Sequence, residues 1–232
     1  MFQLTQEQEM MVESARRLVR DEIVEPRIDM ALDKSGEFPS EIYRTLWEAG
    51  LTNLEIPQVA GGPELSCFDN CLISEEIQYG CTSIGTTVNA NLLGAMPIII
   101  AGTDAQKKSY LGRLMEEPIY AAYGCSEPDA GSDVAAMVTH FVKKGDHYIL
   151  NGVKRWITNA DMASWFVIFA RAEGSVGHDG IAAFIVEADW DGVSTEGLVH
   201  KMGQRSSHTC DIVLEDVAVP QANLLVDTQA GF

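Results

Sequence analysis

The chain has 232 residues, 46% of them hydrophobic, and carries 34 acidic side chains against 16 lysines and arginines, a formal net charge of −18. Its length and apolar share support one large domain or two small ones, with no stretch whose composition implies disorder. An acidic surface repels nucleic-acid backbones and anionic lipid headgroups, which disfavours both as partners, though an anionic small ligand is compatible where backbone dipoles oppose the field.

The first half reads as helices. Thr5 with Gln8 makes a capping-box pattern ahead of an amphipathic run in which Met11, Ala15, Leu18, Val19 and Ile23 recur at three- and four-residue steps. The start, MFQLTQEQEMM, lacks the basic stretch and apolar run of a signal peptide. A second helix opens at Pro39 and Ser40 and ends at Gly50, and residues 56–63, IPQVAGGP, form a loop. Ser66 with Asp69 starts a third helix that ends near Gly80. A fourth covers residues 83–101, where Pro97 is expected to bend it, and its apolar stretch around 96–101 is too short to span a bilayer. Thr103 with Gln106 caps a fifth. Five scattered cysteines without a CxxC pair read as reduced thiols of a soluble intracellular protein. Cys67 and Cys71, four apart on the third helix, are expected to be core thiols.

The pattern changes near Pro118, where apolar spacing falls to two. Candidate strands are 120–126, 137–144, 147–158, 165–172, 181–187, 193–201 and 211–219, separated by turn signals at Gly145 with Asp146, Asn151 with Gly152 and Asp191 with Gly192. The predicted fold class is α+β: an N-terminal all-helical domain, 1–117, followed by an antiparallel β-barrel-like middle domain, 118–232, closed or nearly so.

Three segments carry possible chemistry. Residues 123–133, YGCSEPDAGSD, follow a strand and are dense in turn formers. Pro128 fixes one torsion, and Asp129 and Gly131 accept unusual ones, so the backbone N–H groups can converge on an anion. Ser126 and Ser132 add hydroxyls, and Glu127 a carboxylate that can orient the turn. An ordinary surface loop has the same composition. In residues 154–159, KRWITN, strand alternation puts the Trp156 ring and the Thr158 hydroxyl on one face, which suits a flat heterocycle and equally a core tryptophan. In residues 201–211, KMGQRSSHTCD, Arg205 is placed either to clamp a carboxylate or phosphate or to tie one loop to another.

Taken together, YGCSEPDAGSD, NGVKRWITN, MGQRSSHT and LEDVAVP, in that order and spacing, resemble the acyl-CoA dehydrogenase family. The upstream ISEEIQYGCT and AMPIIIAGTDAQKKSYLGRLMEEP are similar to its medium-chain branch. The resemblance covers the whole chain. It implies FAD-dependent oxidation of an acyl-CoA thioester to the trans-2-enoyl product, with electrons passed to an electron-transferring flavoprotein. It also implies a cofactor site of Tyr123, Gly124, Cys125, Ser126, Glu127, Pro128, Asp129, Ala130, Gly131, Ser132, Trp156, Ile157 and Thr158. Thr158 would lie near the flavin N5, and Ser132 also near the thioester. Asp129 stands where the family usually has Gly, and residues 173–180 are short for the medium-chain branch. The family's catalytic glutamate belongs to a third, C-terminal helical domain, expected to be absent here. No catalytic residue and no metal site is therefore assigned in this chain. Homo-oligomers are expected if that domain is supplied, in a mitochondrial matrix or bacterial cytoplasm, with neither nucleic acid nor integral membrane as partner. The competing reading is a non-catalytic flavin- or acyl-CoA-binding protein, or a subunit-interaction module.

Overall fold

The computed structural model describes residues 3–228, so the outermost residues of both predicted domains, 1–2 and 229–232, lie outside the described residues. Helix α1, Gln6–Val19, starts on the reciprocal bonds of Thr5 and Gln8 and runs on through a π-helical turn, Arg20–Val24. Then follow α2, Ile28–Ser35; α3, Ser40–Glu48; α4, Cys67–Gly80; and α5, Thr82–Ala101. Helix α6, Asp104–Gln106, passes through a second π-helical turn, Lys107–Leu111, into α7, Gly112–Glu116. All three predicted capping boxes form. Sequence reading missed α2, which begins after a left-handed Arg27 rather than at a side-chain cap.

Cys67 and Cys71 are exposed, against the expectation of core thiols. The inward face of α4 is set by Ile73, Glu76 and Ile77, and a four-residue step back from Ile73 reaches Asp69, so the two cysteines fall on the solvent side.

Eight strands form one sheet: β1 Tyr120–Gly124, β2 His140–Lys144, β3 His147–Thr158, β4 Ala163–Ala172, β5 Ile181–Glu187, β6 Val193–Glu196, β7 Thr209–Pro220 and β8 Leu224–Val226. Their order is β6-β7-β3-β2-β4-β5-β8, with β1 added beside β4. The α+β class and the helical-then-β arrangement hold, but the sheet does not close. Its ends are the four-residue β6 and the three-residue β8, which pair only with β7 and β5. Two pairings are parallel: β1 enters from the helical side along β4, and β2 touches β4 over two residues. Inside, Phe184 meets Phe141 and Tyr148 at ring-centroid distances of 4.9 and 5.1 Å.

The helices and sheet join along α5 and β1. Helix α5 has twenty residues and is apolar enough to cross a bilayer, yet half of its most apolar window is buried in the protein and it carries Asn91, fully buried, near its centre. Asn91 donates to the Tyr43 hydroxyl (2.5 Å) and the Ile119 carbonyl (3.0 Å) and accepts from the Ala121 N–H (3.0 Å). One turn on, a Cβ at Gly94 would lie 3.0 Å from the Ala122 nitrogen, so glycine allows the two backbones to approach. This is the anchorage of a core helix. Asn91→Leu leaves the Ala121 N–H buried without an acceptor and should cost about 3 kcal/mol in urea unfolding. A loss below about 1 kcal/mol would show that the junction does not depend on it.

Candidate functional site

Strand β1 delivers the loop at residues 125–133. Gly124 is pressed against the sheet: a Cβ there would lie 2.5 Å from Ile168 Cδ1 and 3.4 Å from Lys154 Cγ. Just before it, the Tyr123 ring packs on Phe169 at 5.3 Å, and burial raises the Tyr123 pKa. Cys125 is half-buried, and desolvation pushes its thiol up, towards the inert form. Glu127 and Ala130 exchange backbone bonds of 2.9 and 3.3 Å, closing a tight turn with Pro128 and Asp129 exposed at its tip. Neither Asp129 nor Gly131 adopts positive φ, contrary to the expectation of unusual torsions, so aspartate carries no left-handed cost in the turn.

Glu127 turns inward beneath this loop. Its carboxylate accepts from the backbone N–H groups of Val138 (2.6 Å) and Thr139 (3.0 Å) and pairs with Lys154 Nζ at 2.6 Å. Lys154 is fully buried and also donates to the Cys125 carbonyl at 3.2 Å. Burial alone would raise the Glu127 pKa, but Lys154 and the two backbone donors outweigh it and hold the group below the usual carboxylate range. Lys154 is lowered by burial, against the pull of Glu127. Two of the three donors to Glu127 are backbone groups that cannot lose a proton. Sequence reading assigned Glu127 to the turn but not to this pair, whose members stand 27 residues apart.

The second segment lies beside the first. Arg155 N donates to the Ser126 carbonyl at 2.8 Å, so the loop and β3 meet edge to edge. Between Lys154 and Ile157 the register with β7 shifts: Lys154 faces Ile212 and Ile157 faces Cys210, leaving two residues opposite Asp211 alone. This is a β-bulge. Trp156 sits in it with φ 58° and is 67% exposed. Ile157 is buried, and Thr158 is half-buried. Simple alternation did not anticipate the bulge, which depends on the partner strand.

Among the described residues, the hydroxyls of Ser126, Ser132 and Thr158 have no protein partner. Gly131 is exposed, keeps an ordinary φ, and would carry a Cβ with nothing within 4 Å. The loop tip and the Trp156 edge therefore form an open surface with free donors and a flat aromatic face, and these suit a flavin and its diphosphate.

The third segment ties the helical part to the sheet, but not through Arg205. The Gln204 side chain accepts from Thr86 (2.8 Å), Ser206 meets Ser83 (2.6 Å), and His208 bridges Asp161 and the Gly36 carbonyl. Arg205 is exposed and has no ion pair among the described residues.

Comparison with known proteins identifies the family. Residues 5–118 match the family described as Acyl-CoA dehydrogenase, N-terminal domain, and residues 122–217 match Acyl-CoA dehydrogenase, middle domain. A probable medium-chain specific acyl-CoA dehydrogenase 2, mitochondrial, of Caenorhabditis briggsae is 43% identical over 203 residues, 86% of this chain and 50% of that protein. Butyryl-CoA dehydrogenase from Megasphaera elsdenii superposes with a TM-score of 0.92 at 31% identity, covering 100% of this chain and 61% of its own. An acyl-CoA dehydrogenase complexed with FAD from Bacillus anthracis superposes at 0.86 and 31%, covering 98% and 38%. The class is that of flavoprotein oxidoreductases. Within it, this chain belongs to the acyl-CoA dehydrogenase family, and it spans 50% to 61% of the length of curated relatives it matches.

Proposed function

We propose that this chain forms the flavin-facing part of an FAD-dependent enzyme that oxidises medium-chain acyl-CoA thioesters to trans-2-enoyl-CoA. The observation that carries this is the Arg155–Ser126 backbone bond, which sets the Trp156 edge, with the unused Thr158 hydroxyl, against a loop with two more unused hydroxyls. Tyr123 to Ser132, with Trp156, Ile157 and Thr158, would hold the cofactor, the outer hydroxyls and backbone amides meeting its polar atoms. Glu127 would act from beneath, by fixing the turn. Bound FAD supplies the hydride acceptor for the substrate β carbon. Thr158 would offer a hydroxyl hydrogen bond where charge develops on the ring, and Ser132 would lie towards the thioester. The medium-chain assignment rests on the similarity to the Caenorhabditis protein.

Glu127 is committed to Lys154 and Glu76 to Arg16, so neither is available as the general base that takes the α proton. We assign that base to a segment beyond the two matched domains. The division into 1–117 and 118–232, transfer of electrons to an electron-transferring flavoprotein, and a mitochondrial or bacterial soluble compartment belong to the same proposal.

The test is FAD titration of the purified chain, followed by anaerobic octanoyl-CoA. Binding with a flavin absorbance band, but no bleaching by octanoyl-CoA alone, is expected. Absence of any flavin binding would end the reading, and bleaching would place a base within these residues. Gly131→Ala should leave stability unchanged within about 0.5 kcal/mol and weaken FAD binding about tenfold, since the new methyl group meets only the ligand. Equal affinity would remove this loop position from the site.

A further inference from the structure

The Asp211 carboxylate bonds both residues of the β3 bulge. Its Oδ2 accepts from Arg155 Nε (3.1 Å) and Nη2 (3.0 Å), and its Oδ1 accepts from the backbone N–H of Trp156 (3.3 Å). It stands at the single β7 position opposite the two bulge residues, and its side chain is only 17% exposed. The φ of 58° at Trp156 is a conformation that a bulky side chain adopts only when its surroundings enforce it. The Arg155 backbone N–H is bonded to Ser126, so the carboxylate, the bulge and the loop form one connected unit.

We infer that Asp211 is a positioning residue: it locks the Arg155–Trp156 bulge and so presents the indole as a fixed stacking face for the flavin. This rests on the proposed function for the identity of the ligand, but the locking of Trp156 is measurable without any ligand. Asp211 makes no contact assigned to the cofactor and acts through Trp156.

The chain has four tryptophans, so the Trp156 signal is the difference between a given protein and its Trp156→Phe counterpart. In the absence of flavin, Asp211→Ala should lower the fluorescence anisotropy of Trp156. With FAD, it should weaken binding about fivefold and flatten the visible circular dichroism of the bound flavin, the loss of one aromatic stacking contact. Asp211→Asn keeps an acceptor for the Trp156 N–H while losing the charge towards Arg155, so it should restore both signals. A role confined to the ion pair predicts that Asn behaves like Ala. That result, or an unchanged Trp156 anisotropy in Asp211→Ala, overturns the inference. If the parent chain binds no FAD, the proposed function fails and the ligand-free anisotropy alone decides the role of Asp211.

Discussion

Glu127→Gln is expected to destabilise the chain by about 3–5 kcal/mol, the cost of leaving a buried charge without its counter-ion. Lys154 is fully buried and would be left with neutral acceptors, the Cys125 carbonyl and at most the glutamine oxygen. The new amide nitrogen is itself a donor, and it enters a pocket whose other members, Val138 N–H, Thr139 N–H and Lys154, all donate, so one of the two backbone N–H groups, which bond different carboxylate oxygens, faces a donor. Urea unfolding measures the loss. The informative comparison is the double variant Glu127→Gln with Lys154→Met: with the charge removed, the glutamine oxygen still serves one of the two backbone donors, and about 2 kcal/mol should return relative to Glu127→Gln. If the two changes simply add, the ion pair is not what holds the loop.

The same group sets an acid limit. Glu127 is held below its ordinary pKa in the folded chain, so it binds a proton less readily folded than unfolded. Its stabilising contribution is complete above the unfolded value, near ~4.3, and is lost as the pH falls through the lower folded value. Unfolding midpoints followed from pH 7 to 3 should fall below about pH 4.3 in the parent chain, and by less in the double variant, which has no carboxylate at this position. Parallel curves would assign the acid sensitivity to other carboxylates.

What was legible in the sequence follows the range of the forces involved. The capping boxes at Thr5, Ser66 and Thr103 are contained within four residues each, and all formed. Strands β1 to β7 came from local alternation; the three-residue β8 is too short to show a period. The two candidate segments could be picked out in the sequence because each is contiguous, one directly after β1 and one at the end of β3. The site's internal wiring was not legible: Lys154 with Glu127, and Asp211 with Trp156, are set by which strands pair and where the register slips. Arg205 shows the opposite failure. A lone arginine among small residues drew attention, while the domain tie was made by its neighbours Gln204, Ser206 and His208, whose partners lie in α5 and near Gly36.

Gly152→Ala should be nearly as damaging as loss of Glu127, although residue 152 touches no ligand site. It occupies a second slip of the β3–β7 register, between Leu150 and Gly152, with φ +149°, a region closed to L side chains. A Cβ there would also fall 2.7 Å from the Thr139 Cα, a backbone atom that cannot rotate away. Torsional strain and overpacking each cost about 1–3 kcal/mol, so a combined loss of about 4 kcal/mol is expected. The displacement has a direction: Thr139 N–H is one of the donors to Glu127, and pushing residue 139 outward lengthens the bond that holds the carboxylate under the loop. Amide exchange at Val138 and Thr139 should therefore accelerate in Gly152→Ala more than exchange in β5, which is hydrogen-bonded to neither β3 nor β7. If exchange rises uniformly, the substitution has lowered global stability only, and the path from the β3 slip through Thr139 to the loop is not a mechanical one.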